Sequence, residues 1–408
     1  MSYSRDSRPF VVGVVSVAHF LSHFYFLVFP PLFPLFSREF GVNNTQLGLL
    51  FSLLFLMPSV LQVPVGELVD RFGAKPLFVL GIAVTSLGTM ATTLATSYLA
   101  LLGFVLLAGV GQSAFHPADF ALLETVTDPT SRGKSFGAHT FAGYLGFAAG
   151  PLVAGLLGVR YGWRAALGGL GVIGLCYAVA VFVALPTVHR GREGAVEAAE
   201  AGSGGLLSNW SALADSRILL TVLFFVLLTI AGTGTQSFTV VFLTSVFGLS
   251  VTAANTTLTA NLTAAAVGVL VGGELADRFD IYRNLAIVLT VACGVVVVIV
   301  SGVVPAVIAA VVGVFTVLGL VHGLALPSRD SLVSEFSTSD STGKSFGLAY
   351  TGVTVGAFIA PVLFGFVSDA VNDVAMFALV GVFYVAAVVT VSTIYVGFVR
   401  AGQPASAA

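Results

Sequence analysis

Two pairs of side chains have the types and spacing to handle a proton in an apolar setting. His19 and His23 stand four residues apart in one apolar run, and His116 and Asp119 stand three apart around Pro117. Either spacing puts a pair on one face of a helix. Imidazole has an ordinary pKa of about 6.5 and so changes charge close to neutrality. Ionisable groups at membrane depth are costly unless they pair or serve a pathway, which makes these four residues candidates for proton coupling. The plainer reading of each histidine is a neutral ring bonded to a backbone carbonyl. His19 and His23 also suit zinc, but the sequence places no third ligand near them, so neither a metal nor a cofactor is expected. Nor is an enzyme expected, because no nucleophile stands with a base or metal.

The elements that position these groups are read from composition. Of 408 residues, 57% are hydrophobic and 9% charged, with a mean hydropathy of +1.02. A soluble domain carries roughly 25% charged residues. The apolar residues fall in blocks of about 20, the length at which a helix crosses a bilayer, and not in the alternating segments of about 10 that a membrane barrel requires. Charges and Gly, Pro and Asn clusters divide the chain into about twelve spans, the first at 10–36 and the fourth at 98–124. A net charge of −2 points away from nucleic acid. The lipid bilayer is the expected surrounding, in a multi-pass protein of the cell membrane.

Lysine and arginine set the expected orientation, because short cytoplasmic loops retain them. With the N-terminus inside, Arg5, Arg8, Arg71, Lys75, Arg132, Lys134, Arg190, Arg192, Arg217, Arg278, Arg283, Arg329, Lys344 and Arg400 share the cytoplasmic side. Arg38, Arg160 and Arg164 fall opposite. The polar stretch 189–216 is too poor in apolar residues to form a core and is expected as a cytoplasmic linker between halves 1–188 and 217–408.

The halves repeat. Gly66-Glu67-Leu68-Val69-Asp70-Arg71-Phe72 returns as Gly273-Glu274-Leu275-Ala276-Asp277-Arg278-Phe279, and Gly133-Lys134-Ser135-Phe136-Gly137 as Gly343-Lys344-Ser345-Phe346-Gly347. In the second register Pro117 falls on Pro327 and Pro151 on Pro361. Duplication of a six-helix unit accounts for this. Gly-Lys-Ser is not a phosphate loop: Asp128 and Thr338 stand where its first glycine is needed, and no strand precedes either copy.

Gly66, Asp70, Arg71, Gly73 and Lys75 between the second and third spans resemble the signature loop of the major facilitator superfamily. Asp277 and Arg278 lie in a degenerate second copy, with Asp280 at the last glycine. On the fifth span Gly146, Gly150, Pro151 and Gly155 resemble the glycine-proline motif of the superfamily's proton-coupled antiporters, with Ala154 in place of one glycine. Gly111 to Pro117, together with His19, is similar to the fosmidomycin-resistance type of exporter. That group tends to carry Asn-Asp where this chain has Ser22-His23.

The resemblance implies an all-α membrane protein of twelve transmembrane helices in two pseudo-symmetric six-helix bundles, with both termini cytoplasmic. It implies alternating access by rocking of the bundles. Gly66, Asp70, Arg71, Gly73, Lys75, Asp277 and Arg278 would form the cytoplasmic gate, Asp70 capping the eleventh helix near Lys344 and Asp277 the fifth near Lys134. The expected substrate wall is aromatic and weakly polar: Phe20, Phe24, Tyr25, Gln112, Tyr144, Phe147, Gln236, Asn261, His322 and Tyr350. The leading expectation is a monomeric secondary transporter exporting a small amphipathic compound against protons. Proton-driven uptake of a carboxylate or sugar is the alternative, and a non-transporting membrane sensor a more distant one.

Overall fold

The computed structural model describes residues 8–127, 131–185, 216–335 and 342–400. Arg5, Arg190, Arg192, residues 189–215 of the expected linker and the side chain of Lys344 lie outside the described residues. The first half consists of α1 (Arg8–Phe26), α2 (Phe33–Phe40), α3 (Asn44–Phe72), α4 (Ala74–Ala91), α5 (Tyr98–Gln112), α6 (Phe115–Val126), α7 (Arg132–Tyr161) and α8 (Trp163–Ala184). The second consists of α9 (Ser216–Ser245), α10 (Val251–Arg278), α11 (Ile281–Val300), α12 (Ile308–Glu335), α13 (Thr342–Ala370) and α14 (Asp373–Ile394). Among the described residues these make 12 spans long and apolar enough to cross a membrane. The protein is an integral, multi-pass membrane protein.

Two of the expected spans are broken, and proline explains both. The first runs Arg8–Phe40 as α1, a short 3₁₀ turn at Pro30–Leu32, and α2. Pro30, Pro31 and Pro34 supply no N–H to the helical ladder. The fourth divides at Ser113 and Ala114, where the chain tightens through Ser113 N–H to Val110 O and Ala114 N–H to Gly111 O, both 3.2 Å. Pro117 sits in the first turn of the resulting α6, where an N–H has no helical partner to lose. His116 and Asp119 therefore ride on a short helix of their own.

Helix starts are set locally. Side chains of Ser97, Ser250, Asp280 and Asn372 accept from the N–H three residues on, at α5, α10, α11 and α14. Asp280 explains the departure from the signature loop. In the first copy Gly73 opens α4 at φ +91°, which favours glycine, whereas in the second Asp280 holds φ −55° and caps α11 through its carboxylate.

The chain divides into two compact units, Met1–Val42 with Leu49–Gly204, and Asn43–Gly48 with Gly205–Ala408. In the first, α1 packs on α7, and α4 on both α5 and α8. In the second, α9 packs on α13, and α11 on both α12 and α14, the same pairing one repeat later. Small residues allow the closest approaches. A Cβ at Gly319 would lie 1.9 Å from Asn261 O and one at Gly323 2.1 Å from Ala265 O, so α10 and α12 touch backbone to backbone. At one end of the first unit Trp163 Nε1 donates to Glu39 Oε2 at 2.5 Å, Arg164 pairs with Glu39, and Arg164 also donates to Thr93 O and Ala95 O. Outward positions such as Val63, Leu99, Val183 and Leu270 are exposed and apolar, as a lipid-facing surface requires.

Candidate functional site: a buried histidine-aspartate cluster

The cluster is assembled by α1, α6 and α7 of the first unit. Val15, Ala18, Phe78, Ile82, Phe115, Ala118 and Leu122 form one apolar core linking α1, α4 and α6, which fixes the turn carrying His19 against the turn carrying Asp119. Helix α7 closes the third side because its facing residues are glycines. A Cβ at Gly143 would lie 2.7 Å from the His19 ring, one at Gly146 2.2 Å from Phe20 O, and one at Gly150 2.9 Å from Phe24 O. The glycine motif thus brings α7 onto α1 at the level of the histidines.

His19 Nδ1 lies 3.1 Å from Asp119 Oδ2, a hydrogen bond whose proton either partner can hold. His139, on α7, brings Nε2 to 3.6 Å from the same carboxylate oxygen and stacks on His19 with ring centroids 3.8 Å apart. His23 lies 4.3 Å from His19 and 6.2 Å from His116, and His116 lies 5.4 Å from His19. Phe147 and Phe120 cover the margins, at 4.2 Å from His23 and 5.8 Å from both His116 and His139. Asp119 is 0% exposed, His139 1% and His19 4%.

Among the described residues, His23 Nδ1, His116 Nδ1, Asp119 Oδ1 and both ring nitrogens of His139 are buried without a hydrogen-bond partner. Such groups are expensive to keep in a fold that has no use for them. One ligand atom each from His19, Asp119 and His139 lie within 4.8 Å of one another, a grouping able to hold a metal ion. Sequence spacing, which offered only His19 and His23 as ligands, misses this set because its further members arrive from α6 and α7. His139 carried one weak signal, standing four residues before Gly143 on the face that continues through Gly146 and Gly150, but nothing in the sequence says what that face meets.

Several other expected residues are placed differently. Tyr25 turns away from the histidines; its hydroxyl donates to Leu170 O at 2.7 Å and pins α1 to α8. Gln112 is engaged on both ends of its amide, Oε1 accepting from Ser22 Oγ at 2.7 Å and Nε2 donating to Ser22 O at 2.9 Å. Phe20 and Phe24 stack on each other at 5.9 Å, and Tyr144 is half-buried on α7. In the second unit Gln236, Asn261 and His322 line one small pocket with Gly232 and Tyr384. His322 Nδ1 lies 3.0 Å from the Tyr384 hydroxyl, and Asn261 Nδ2 donates to Phe315 O at 2.8 Å. Tyr384 had no sequence signal beyond being an aromatic in an apolar span. Tyr350 lies apart from that pocket, beside Phe225 and 3.4 Å from Asp330.

At the signature loop Asp70, Arg71, Asp277 and Arg278 are exposed and Gly66 and Gly73 have open space beside them. Arg71 lies over Phe72 at 5.3 Å, Lys75 over Phe182 at 5.4 Å, and Arg278 pairs with Glu274 one turn back. Gly155 and Pro151 are buried within α7.

A helical membrane protein with twelve spans among the described residues and a duplicated unit has the architecture of a membrane transporter. The sequence pattern of the Major Facilitator Superfamily matches residues 15–254 and 222–407, and the chain belongs to that superfamily. It is 20% identical over 366 residues to an uncharacterized transporter of this type from Methanocaldococcus jannaschii, covering 86% of this chain and 90% of that protein. It is 26% identical over 275 residues to the fosmidomycin resistance protein of Escherichia coli, covering 66% of this chain and 65% of that one. Its fold is similar to a bacterial homologue of the human lysosomal transporter Spinster (TM-score 0.83, 18% identity, 99% of this chain and 100% of the other). It is similar also to the nucleoside transporter NupG (TM-score 0.79, 14% identity, 94% and 100%). The protein is a membrane transporter with the major facilitator fold.

Proposed function

We propose that the protein is a proton-coupled exporter of a small amphipathic compound, working by alternating access. The buried contact among His19, Asp119 and His139, bordered by His23 and His116, carries this reading. A carboxyl and an imidazole that share one hydrogen can take up or lose a proton with little movement, and the gain or loss of charge changes the cost of keeping them dry. A proton taken up there would favour one access state, and its release the other. The export direction is supported by the relation to a fosmidomycin resistance protein. In this reading Gly66, Asp70, Arg71, Gly73, Lys75, Asp277 and Arg278 work at a cytoplasmic gate. Both termini and the linker 189–216 face the cytoplasm, halves 1–188 and 217–408 are the functional units, and a monomer in the cell membrane suffices. Phe20, Phe24, Tyr144, Phe147, Gln236, Asn261 and His322 are the proposed substrate contacts.

Uptake of an organic acid is the second reading. A probable L-galactonate transporter of Escherichia coli and a hexuronate transporter of Bacillus subtilis are 24% and 25% identical over 156 and 180 residues. Cells with and without the protein separate the two. Loaded with ethidium or fosmidomycin, expressing cells should retain less of at least one probe, and collapsing the proton gradient should abolish the difference. Greater retention in expressing cells, or accumulation of a hexuronate, would reverse the direction.

A further inference from the structure

We infer that His19, Asp119 and His139 form a binding site for one divalent first-row transition cation, zinc being the best match to the donors. Three observations carry this. First, the donor set is two imidazoles and a carboxylate, the composition of three-ligand zinc sites that keep a fourth position open. Second, two of the three spacings fit, and a turn of the stacked His139 ring would close the third. Bonds of about 2.0–2.1 Å in a tetrahedron place neighbouring ligand atoms roughly 3.3 Å apart. His19 Nδ1 and His139 Nε2 stand 3.1 and 3.6 Å from Asp119 Oδ2, and all three ligand atoms lie within 4.8 Å of one another.

Third, the site is built and buried. His139 has neither ring nitrogen hydrogen-bonded among the described residues, and Asp119 Oδ1 is likewise without a partner, although both residues are fully enclosed. A cation uses the idle Nε2 lone pair. It also replaces the proton between His19 and Asp119, since a metal ligand must be deprotonated. The carboxylate offsets part of the cation's charge in an apolar surrounding. Because the ligands come from α1, α6 and α7, the ion ties together three helices that otherwise meet through apolar packing and glycine contacts. His23 and His116 stand beside the first ligand, their ring centroids 4.3 and 5.4 Å from that of His19.

The inference concerns which ion these three side chains hold. The ion and the coupling proton proposed above use the same side chains and exclude one another while either is bound. The inference needs neither the direction nor the coupling, so a failure of gradient-driven flux leaves it standing, and its own failure leaves the transport reading standing.

Full-length protein without affinity-tag histidines, dialysed to equilibrium against Zn²⁺ or Co²⁺, is the test. Bound metal is counted by mass spectrometry and cobalt geometry read from its visible absorption. Wild type should bind one ion per chain, give the intense bands of four-coordinate cobalt, and melt at a higher temperature with zinc than without. His139→Gln and Asp119→Asn should each weaken binding by more than about tenfold. His322→Gln, in the other unit, should bind as wild type does. No saturable binding by wild type would overturn the inference whatever the variants do. Equal affinity in wild type, His139→Gln and Asp119→Asn would overturn it as well.

Discussion

One methyl group added at Gly146 is expected to loosen the cluster without touching it. The new Cβ would lie 2.2 Å from Phe20 O and 3.0 Å from Phe24 N, both backbone atoms that cannot rotate away. Ordinary contact begins near 3.4 Å, so α1 must retreat by about 1 Å. His19 precedes Phe20, so the same movement shifts its ring relative to Asp119 on α6 and His139 on α7. Overpacking of this kind costs about 1–3 kcal/mol. At roughly 2–4 °C per kcal/mol for a unit of about 200 residues, Gly146→Ala should melt about 2–12 °C below wild type. The control is Gly137→Ala on the same helix, where an added Cβ meets nothing within 4 Å. Melting curves in one detergent, followed by tryptophan fluorescence, measure both. If Gly146→Ala melts with wild type and Gly137→Ala, then α7 does not press on α1 as described and the geometry of the cluster is wrong.

Other outcomes follow from the same contacts. Tyr25→Phe removes the hydroxyl's bond to Leu170 O, a carbonyl that keeps its place in the α8 ladder, and should cost about 0.5–1.5 kcal/mol, read as a lower denaturation midpoint, with transport retained. Ser22→Ala and Gln112→Leu should be non-additive in a double-mutant cycle by about 0.5–3 kcal/mol, because both remove the bond from Ser22 Oγ to Gln112 Oε1. Glu39→Gln, at a half-exposed pair with Arg164, should change stability by no more than about 1 kcal/mol while altering the emission of Trp163, which donates to the same carboxylate.

Much of the fold was legible because membrane crossing imposes it. Blocks of apolar residues, the two signature loops and the aligned prolines suffice to place twelve spans and a duplication. What the sequence hid was discontinuity within spans and partnership between them. Pro30, Pro31 and Pro34 could have kinked one helix or ended it. The choice of a 3₁₀ turn depends on what packs around Phe29 and Leu32, both fully buried.

At the site, His19, His23, His116 and Asp119 were readable from intrahelical spacing, which is a local property. His139 was not singled out because it stands alone on its helix near the charged end of α7. Its meaning comes from two other helices. Tyr25 and Gln112 drew attention as polar or aromatic groups on the right helices. A hydroxyl or amide can equally be spent on a neighbouring carbonyl, and only the distances to Leu170 and Ser22 decide which.

The proposed coupling rests most directly on Asp119. Reconstituted vesicles with an imposed pH gradient and a transported probe compare wild type with Asp119→Asn, a nearly isosteric change that removes the ionisable group. Wild type should drive the probe uphill in the direction the gradient dictates, and Asp119→Asn should exchange probe across the membrane without accumulating it. Gradient-driven accumulation of equal extent in both proteins, or wild-type flux indifferent to the gradient, would contradict a proton carried by this cluster.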